Sequence, residues 1–178
     1  MKIHIVTERL IIRDLEEFDA QGIFELDSDP KVHEYLGKKP IKTINEAQGT
    51  INVIRKHYLE NGIGRWAIID KNTKEFIGWA GLKFEQELRN GFSYYDLGYR
   101  LRSKYWGKGI ATEAATECLK YGFDTLKLET ICAAVNIDNL PSNQILKKIG
   151  LRFVETFEFD GIPCNWYVIK KVAWEKLQ

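Results

Sequence analysis

The chain has 178 residues, of which 44% are hydrophobic and 29% charged. That length supports one well-buried domain, with ~70% of the unfolded surface withdrawn from water, and residues 1–178 read as a single unit. A formal net charge of +1 excludes a bulk field for nucleic acid or for a membrane surface, and no apolar run is long enough to span a bilayer. With no signal-peptide core at the N-terminus, the expected compartment is a reducing cytoplasm.

Ile3, Ile5, Leu10 and Ile12 flank Thr7-Glu8-Arg9 in an N-terminal strand pattern. Asp14-Leu-Glu-Glu17 matches a capping box, and Leu15, Phe18, Gly22 and Leu26 form a helical stripe after it. Asp27 to Lys42, with Pro30, Gly37 and Pro40, reads as loop or short helical turns. Thr43-Ile-Asn-Glu46 is a second capping box, opening a helix with Ala47, Ile51, Ile54 and Tyr58 inward and a stop at Asn61-Gly62. Arg65–Asp70 and Phe76–Glu85 are strand patterns joined by the polar turn Lys71–Lys74, and Tyr94–Leu101 follows the break at Arg89-Asn90-Gly91.

The stretch Arg102 to Thr112 is a glycine-bearing turn into a helix whose inward face is Ala111, Ala115, Cys118, Leu119 and Gly122. Glu129–Val135 is a short β-branched strand. Pro141 suits the first turn of another helix, with Ile145, Leu146 and Ile149 inward and Gly150 as its stop. Phe153–Phe159 and Cys164–Lys171 are strands around Asp160-Gly161, a hairpin dipeptide within a slightly longer loop. The order βααβββαβαββ predicts a mixed α/β (α+β) fold with helices on both faces of a twisted, mostly antiparallel sheet of about seven strands.

Cys118, Cys132 and Cys164 sit in apolar runs and read as buried structural thiols, not a metal set or a covalent relay. His4, His33 and His57 form no metal or triad pattern, so no metal is expected. The glycine turn is the chemical centre of the sequence. Backbone N–H groups at a helix start lack partners, and Gly107 and Gly109 remove bulk in front of them, which suits a phosphate anion. A Walker loop fails here, because Arg102 stands where the first glycine belongs and Gly109 follows Lys108. A dinucleotide fingerprint fails at Thr112, which replaces the third glycine, and Glu129 and Asp138 sit poorly for a ribose.

Lys104-Tyr-Trp-Gly107-Lys-Gly109 fits the R/Q-x-x-G-x-G/A pyrophosphate loop of acyl-coenzyme A, with lysine in place of the first residue. The chain here resembles the GNAT superfamily of N-acetyltransferases, and more narrowly its ribosomal-protein alanine N-acetyltransferase branch. Thr7-Glu8-Arg9-Leu10 with Ile12-Arg13, Asp29-Pro30-Lys-Val32 with Tyr35-Leu36, and Asp96-Leu-Gly98-Tyr99 match that branch in order. So do Tyr105 to Ala114, and Asn139-Leu-Pro-Ser142 with Lys148-Ile-Gly150-Leu151.

The resemblance implies transfer of an acetyl group from acetyl-CoA to a primary amine by direct attack in a ternary complex. The amine is either a protein N-terminus, ribosomal only by analogy, or a small molecule, and the chain is a monomer or homodimer. The backbone of Tyr99, Arg100, Leu101 and Arg102 would hold the pantetheine arm, and Gly107, Lys108, Gly109, Ile110, Ala111 and Thr112 the pyrophosphate. Arg102, Lys104 and Lys108 add charge there or are simply solvated. Trp106 stacks on adenine or, with Tyr105, packs the turn. Ser142 is the acid or hydrogen-bond donor to the leaving thiol, or a helix-start serine; Asn139 contacts the pantetheine or only forms a turn. Asp96 is the first candidate base and Glu85 the second, with a water chain as a third route and a fixed salt bridge as the bland role for Asp96. Tyr35, Trp79, Phe84 and Tyr94 are the acceptor-side candidates. Two other classes stay open: an acyl-CoA-binding module without turnover, and a nucleotide-binding protein using the same turn.

Overall fold

The computed structural model describes residues 1–89 and 91–177, so Asn90 of the expected break lies outside the described residues. Eight strands form one sheet: β1 (Ile3–Val6), β2 (Leu10–Arg13), β3 (Arg65–Asp70), β4 (Phe76–Glu85), β5 (Tyr94–Leu101), β6 (Thr130–Asn136), β7 (Arg152–Phe159) and β8 (Ile162–Lys170). Their spatial order is β1-β2-β3-β4-β5-β6-β8-β7, antiparallel throughout except between β5 and β6. Helices α1 (Ala20–Asp27) and α2 (Ile44–Asn61) cover one face; α3 (Ile110–Lys120), α4 (Leu140–Lys148) and α5 (Lys171–Glu175) cover the other.

The patterning explains both layers. On α2 the Thr43 hydroxyl accepts from the Glu46 N–H while the Glu46 carboxylate takes the Thr43 N–H, and Ala47, Ile51 and Ile54 turn onto Ala67 and Ile69 of β3. On the opposite face Trp66, Ile68, Ile77 and Leu82 pack against Ala114, Ala115, Cys118 and Leu119 of α3. Each such fully buried aliphatic side chain contributes about 1.5–3 kcal/mol.

Three expectations are corrected. The N-terminal strand is a hairpin, because Thr7 Oγ1 accepts from the N–H groups of Arg9 (3.2 Å) and Leu10 (2.8 Å) and turns the chain between β1 and β2. This adds the eighth strand. The first capping box lies two residues later than expected, between Glu16 and Asp19, and α1 begins at Ala20. Phe18 is accordingly 70% exposed, lying under the Arg13 guanidinium, which is 5.0 Å from the ring centre. At the other end β8 starts at Ile162, leaving Asp160-Gly161 as the whole turn, and Lys171 opens α5, whose Trp174 stacks on Phe123.

The sheet is not continuous. β5 and β6 meet at one register position, Asp96 opposite Cys132. Beyond it Leu97–Leu101 have β4 on one side and, among the described residues, no strand on the other. The strands run parallel, so each carries its following helix to the same end of this seam. β5 leads into the glycine turn and α3, and β6 leads into Asn139, Ser142 and α4. Ligands of open sheets characteristically bind at such carboxyl ends of strands.

Candidate active site

The glycine turn is built for close approach. Gly107 (φ +71°) and Gly109 (φ +75°) are both left-handed, a conformation costly for any residue with a Cβ. Gly109 is the N-cap of α3, where no side chain caps the first turn. A Cβ at 107 would meet nothing within 4 Å, and one at 109 only Arg9 Nη2 at 3.7 Å. The start of α3 is thus uncapped by any side chain and little crowds Gly107 and Gly109, as an anion site requires. From behind, the N-terminal hairpin holds the turn. Arg9 Nη1 donates to the Lys108 carbonyl (3.0 Å) and Arg9 Nε to Glu113 Oε2 (2.7 Å), while Thr7 Oγ1 donates to Glu113 Oε1 (2.6 Å). The Thr7–Arg9 motif thus serves a loop about a hundred residues away, a link invisible in the linear pattern.

The cations of the stretch divide. Arg102 turns away, donating to the Phe76 carbonyl (2.9 Å) and pairing with Glu25. Arg100 pairs with buried Asp27 (2.6 Å). Lys104 lies 3.2 Å from Glu75, with its Nζ 5.0 Å from the centre of the Tyr105 ring. Lys108 has its ammonium over the same ring at 5.4 Å and no carboxylate partner among the described residues. Tyr105 is buried, whereas Trp106 is 48% exposed and donates its indole N–H to the Leu101 carbonyl (2.9 Å), closing the end of β5.

Across the seam, Asn139 caps α4 by accepting from the Ser142 N–H (3.2 Å). The Ser142 hydroxyl is left to the seam side, 2.9 Å from the Tyr99 Oη. Asn143, not singled out in the sequence, holds this corner. Its amide donates to the carbonyls of Asn136 (3.0 Å) and Asn139 (2.8 Å), and its oxygen accepts from Asn165 and Tyr167, both at 2.8 Å. The only available signal was an asparagine on the inward face of a helix, where a polar residue needs a reason.

On the α1/α2 face, antiparallel pairing puts Trp79 beside Arg100, Lys83 beside Asp96 and Glu85 beside Tyr94. Arg65, which has no individual role in the sequence pattern, crosses this face over Gly98, where a Cβ would stand 2.6 Å from its guanidinium, to pair with Asp96. It also donates to the Asp96 (2.7 Å) and Gly81 (2.5 Å) carbonyls. Burial pushes the Asp96 carboxyl above its usual range against the pull of Arg65. Burial acts the same way on Glu85, but Lys83 (2.7 Å) and the N–H groups of Gln86 and Glu87 outweigh it and hold that carboxyl low.

Of the acceptor-side candidates, Trp79 and Tyr94 share this face, and Tyr94 packs edge-on to Trp166 (4.6 Å). Tyr35 is half-buried on the segment between α1 and α2. Phe84 is not with them: strand alternation sends it to the α3 face, against Tyr95 (5.2 Å). Burial pushes the thiols of Cys118 and Cys132 up to about 12, which leaves neither a nucleophile near neutral pH. Cys164 is only half-buried.

A family model described as an acetyltransferase (GNAT) domain matches residues 9–152. The chain belongs to the GNAT acetyltransferase family. Uncharacterized N-acetyltransferase p20 of Bacillus licheniformis is 36% identical over 149 residues, covering 83% of this chain and 82% of that protein. The ribosomal protein uS5-alanine N-acetyltransferase of Escherichia coli is 24% identical over 173 residues, covering 94% and 84%. The crystal structure of a GNAT-family acetyltransferase from Bacillus anthracis superposes with a TM-score of 0.78 at 27% identity, covering 94% of this chain and 98% of that one. This acetyltransferase is an acetyl-CoA-dependent N-acetyltransferase. Among the described residues no helix is long and apolar enough to cross a membrane, and no group of three or more His, Cys, Asp or Glu is disposed to hold a metal ion.

Proposed function

We propose that this acetyltransferase moves the acetyl group of acetyl-CoA directly onto an uncharged α-amino group, such as a protein N-terminus, within a ternary complex. The observation that carries the reading is the seam, a parallel strand pair open at its carboxyl end between an uncapped helix start and the Ser142 hydroxyl. The unpaired half of β5 offers backbone groups to the pantetheine arm, and the N–H groups of Gly109 to Thr112 take the pyrophosphate with Lys108. Asn139 supports this indirectly by capping α4, which fits its turn-forming role better than direct contact. Arg102 and Lys104, each paired with a carboxylate, are assigned to the frame of the loop.

For proton removal the geometry favours Asp96 over Glu85. Asp96 stands where β5 and β6 part, and Arg65 occupies one of its oxygens. Both Glu85 oxygens are spent on Lys83 and two N–H groups. A carboxyl raised by burial is the better match to an α-amine of pKa about 7.7–8.0. As the N–C bond forms, a backbone N–H of β5 facing the seam stabilises the oxyanion; as the C–S bond breaks, its electron pair goes to sulfur, where Ser142 donates.

The acceptor assignment rests on charge. Asp27, Asp96, Glu85 and Glu25 each have a cation of the chain itself as partner, so this wall presents paired charge to an incoming polycation. The E. coli relative, whose name is that of an alanine N-acetyltransferase for a ribosomal protein, supports the same class. A thiol-release screen with acetyl-CoA over peptides bearing Ala or Ser N-termini, polyamines and aminoglycosides tests it. Turnover of the peptides ahead of the polyamines is expected, and release with polyamines alone overturns the assignment.

A further inference from the structure

We infer that Tyr99 is a positioning residue for acetyl transfer, donating its phenol O–H to Ser142 Oγ so that the Ser142 proton is directed at the departing sulfur. This rests on the role proposed above for Ser142. Tyr99 projects from the unpaired half of β5 and reaches the first turn of α4, with its Oη 2.9 Å from Ser142 Oγ and 3.3 Å from the Ser142 carbonyl. The contact therefore spans the seam, joining the strand proposed to carry the donor arm to the helix that carries the hydroxyl.

The direction of the bond follows from counting protons. Each hydroxyl has one proton and room to accept. If Ser142 donates to Tyr99, the phenol proton turns to the Ser142 carbonyl and no proton is left for sulfur. If Tyr99 donates to Ser142 Oγ, the serine proton is free. A thiolate leaving group is a charged acceptor and selects the second arrangement. The chain of donors stops at Tyr99. Burial pushes this phenol up to about 12, well above a free thiol at ~8.5, so Tyr99 keeps its proton and acts by polarising Ser142. The C–S electron pair stays on sulfur, the amine proton leaves through Asp96, and nothing is oxidised or reduced.

Tyr99→Phe removes the phenol O–H and little else. We expect kcat to fall by about 3- to 10-fold, the worth of one hydrogen bond, with KM for acetyl-CoA little changed. In a Ser142→Ala background the same substitution should cost nothing further. A second readout does not use turnover: the pKa of the thiol in bound coenzyme A, taken from the pH dependence of its affinity in calorimetry with desulfo-coenzyme A as reference. Donation from Ser142 lowers that pKa, and Tyr99→Phe should raise it toward the free value, as Ser142→Ala does. A purely architectural tyrosine would weaken coenzyme A and desulfo-coenzyme A alike at every pH. Additive losses in the double variant, or an unmoved thiol pKa in Tyr99→Phe, overturn the inference while leaving Ser142 in place. If Ser142→Ala itself moves neither kcat nor the thiol pKa, the role of Ser142 fails first and that of Tyr99 with it.

Discussion

Replacing Gly109 by alanine separates the two demands on the glycine turn. The residue has φ +75°, and a Cβ there makes only an ordinary contact, 3.7 Å from Arg9 Nη2. The cost to folding is therefore conformational: about 1–2 kcal/mol for a left-handed L-residue, less about 0.5–1 kcal/mol recovered from the stiffer unfolded chain. A net loss near 1 kcal/mol lowers Tm by about 2–4 °C in a chain of this size. Binding should suffer far more. A left-handed alanine strains the turn away from the geometry proposed to hold the phosphates, and losing one hydrogen bond to a charged phosphate oxygen costs about 1.5–3 kcal/mol, or roughly 10- to 150-fold in Kd. Gly161→Ala is the matched control, because Gly161 has φ +74°, nothing within 4 Å of its built Cβ, and a place in the β7–β8 turn. Calorimetry with coenzyme A and thermal melting of both variants give the comparison. Equal Kd values for the two would refute the assignment of the turn to the phosphates.

Asn143→Ala leaves the Tyr167 hydroxyl buried without its partner and frees the carbonyls that shape the Asn139 corner, a loss of about 2–4 kcal/mol in denaturant unfolding. Adding Tyr167→Phe should recover part of it, and strict additivity would argue against the network. Asp96→Asn should lower kcat by ~10²–10⁴-fold and remove the acidic limb of the pH–rate profile, which in the native enzyme lies above the ordinary carboxylate range because burial raises that carboxyl. An unchanged limb returns proton removal to water. His33 is held below its ordinary pKa by burial and by Arg100, against Asp27, so its neutral form is the folded one. The unfolded chain then takes up more protons, and this stabilisation is complete above about pH 6.5 and lost as pH falls below it. Melting curves from pH 7.5 to 5 should fall less steeply for His33→Gln than for the native chain. His4 and His57, shifted the same way, keep part of the slope. Parallel curves would show that His33 does not titrate on unfolding.

Much of this architecture is legible in local chemistry. The Thr43–Glu46 box, the β3–β4 hairpin and β5 all lie where periodicity and turn residues put them, because each is decided by neighbours in sequence. The N-terminal hairpin escaped, since Thr7 reverses the chain with a side-chain acceptor and no glycine or proline marks the turn. In the site, residue types and spacing named the helix starts and the Asp96 strand. They did not show that Arg65 lies across Gly98, that Arg9 reaches Lys108, or that Phe84 faces away from Trp79. The first two depend on pairing between segments far apart in the chain; the third follows from strand alternation alone, five residues along β4. Pairing of charges is a third-dimension property as well. Arg102 reads in the sequence as either a charge beside the phosphates or a solvated arginine, and in the fold it pairs with Glu25.

The seam between β5 and β6 gives the ligand-free protein a hazard that most mixed sheets avoid. An open strand side is a template for pairing with other chains, and proteins usually confine such edges to the ends of a sheet. Here the outer edges are β1 and β7, and the run Leu97–Leu101 adds a further unpaired side in the middle of the molecule. A coenzyme lying against that run would act as its guard. Protein stripped of coenzyme should therefore be the more aggregation-prone form, which light scattering with and without added coenzyme A checks.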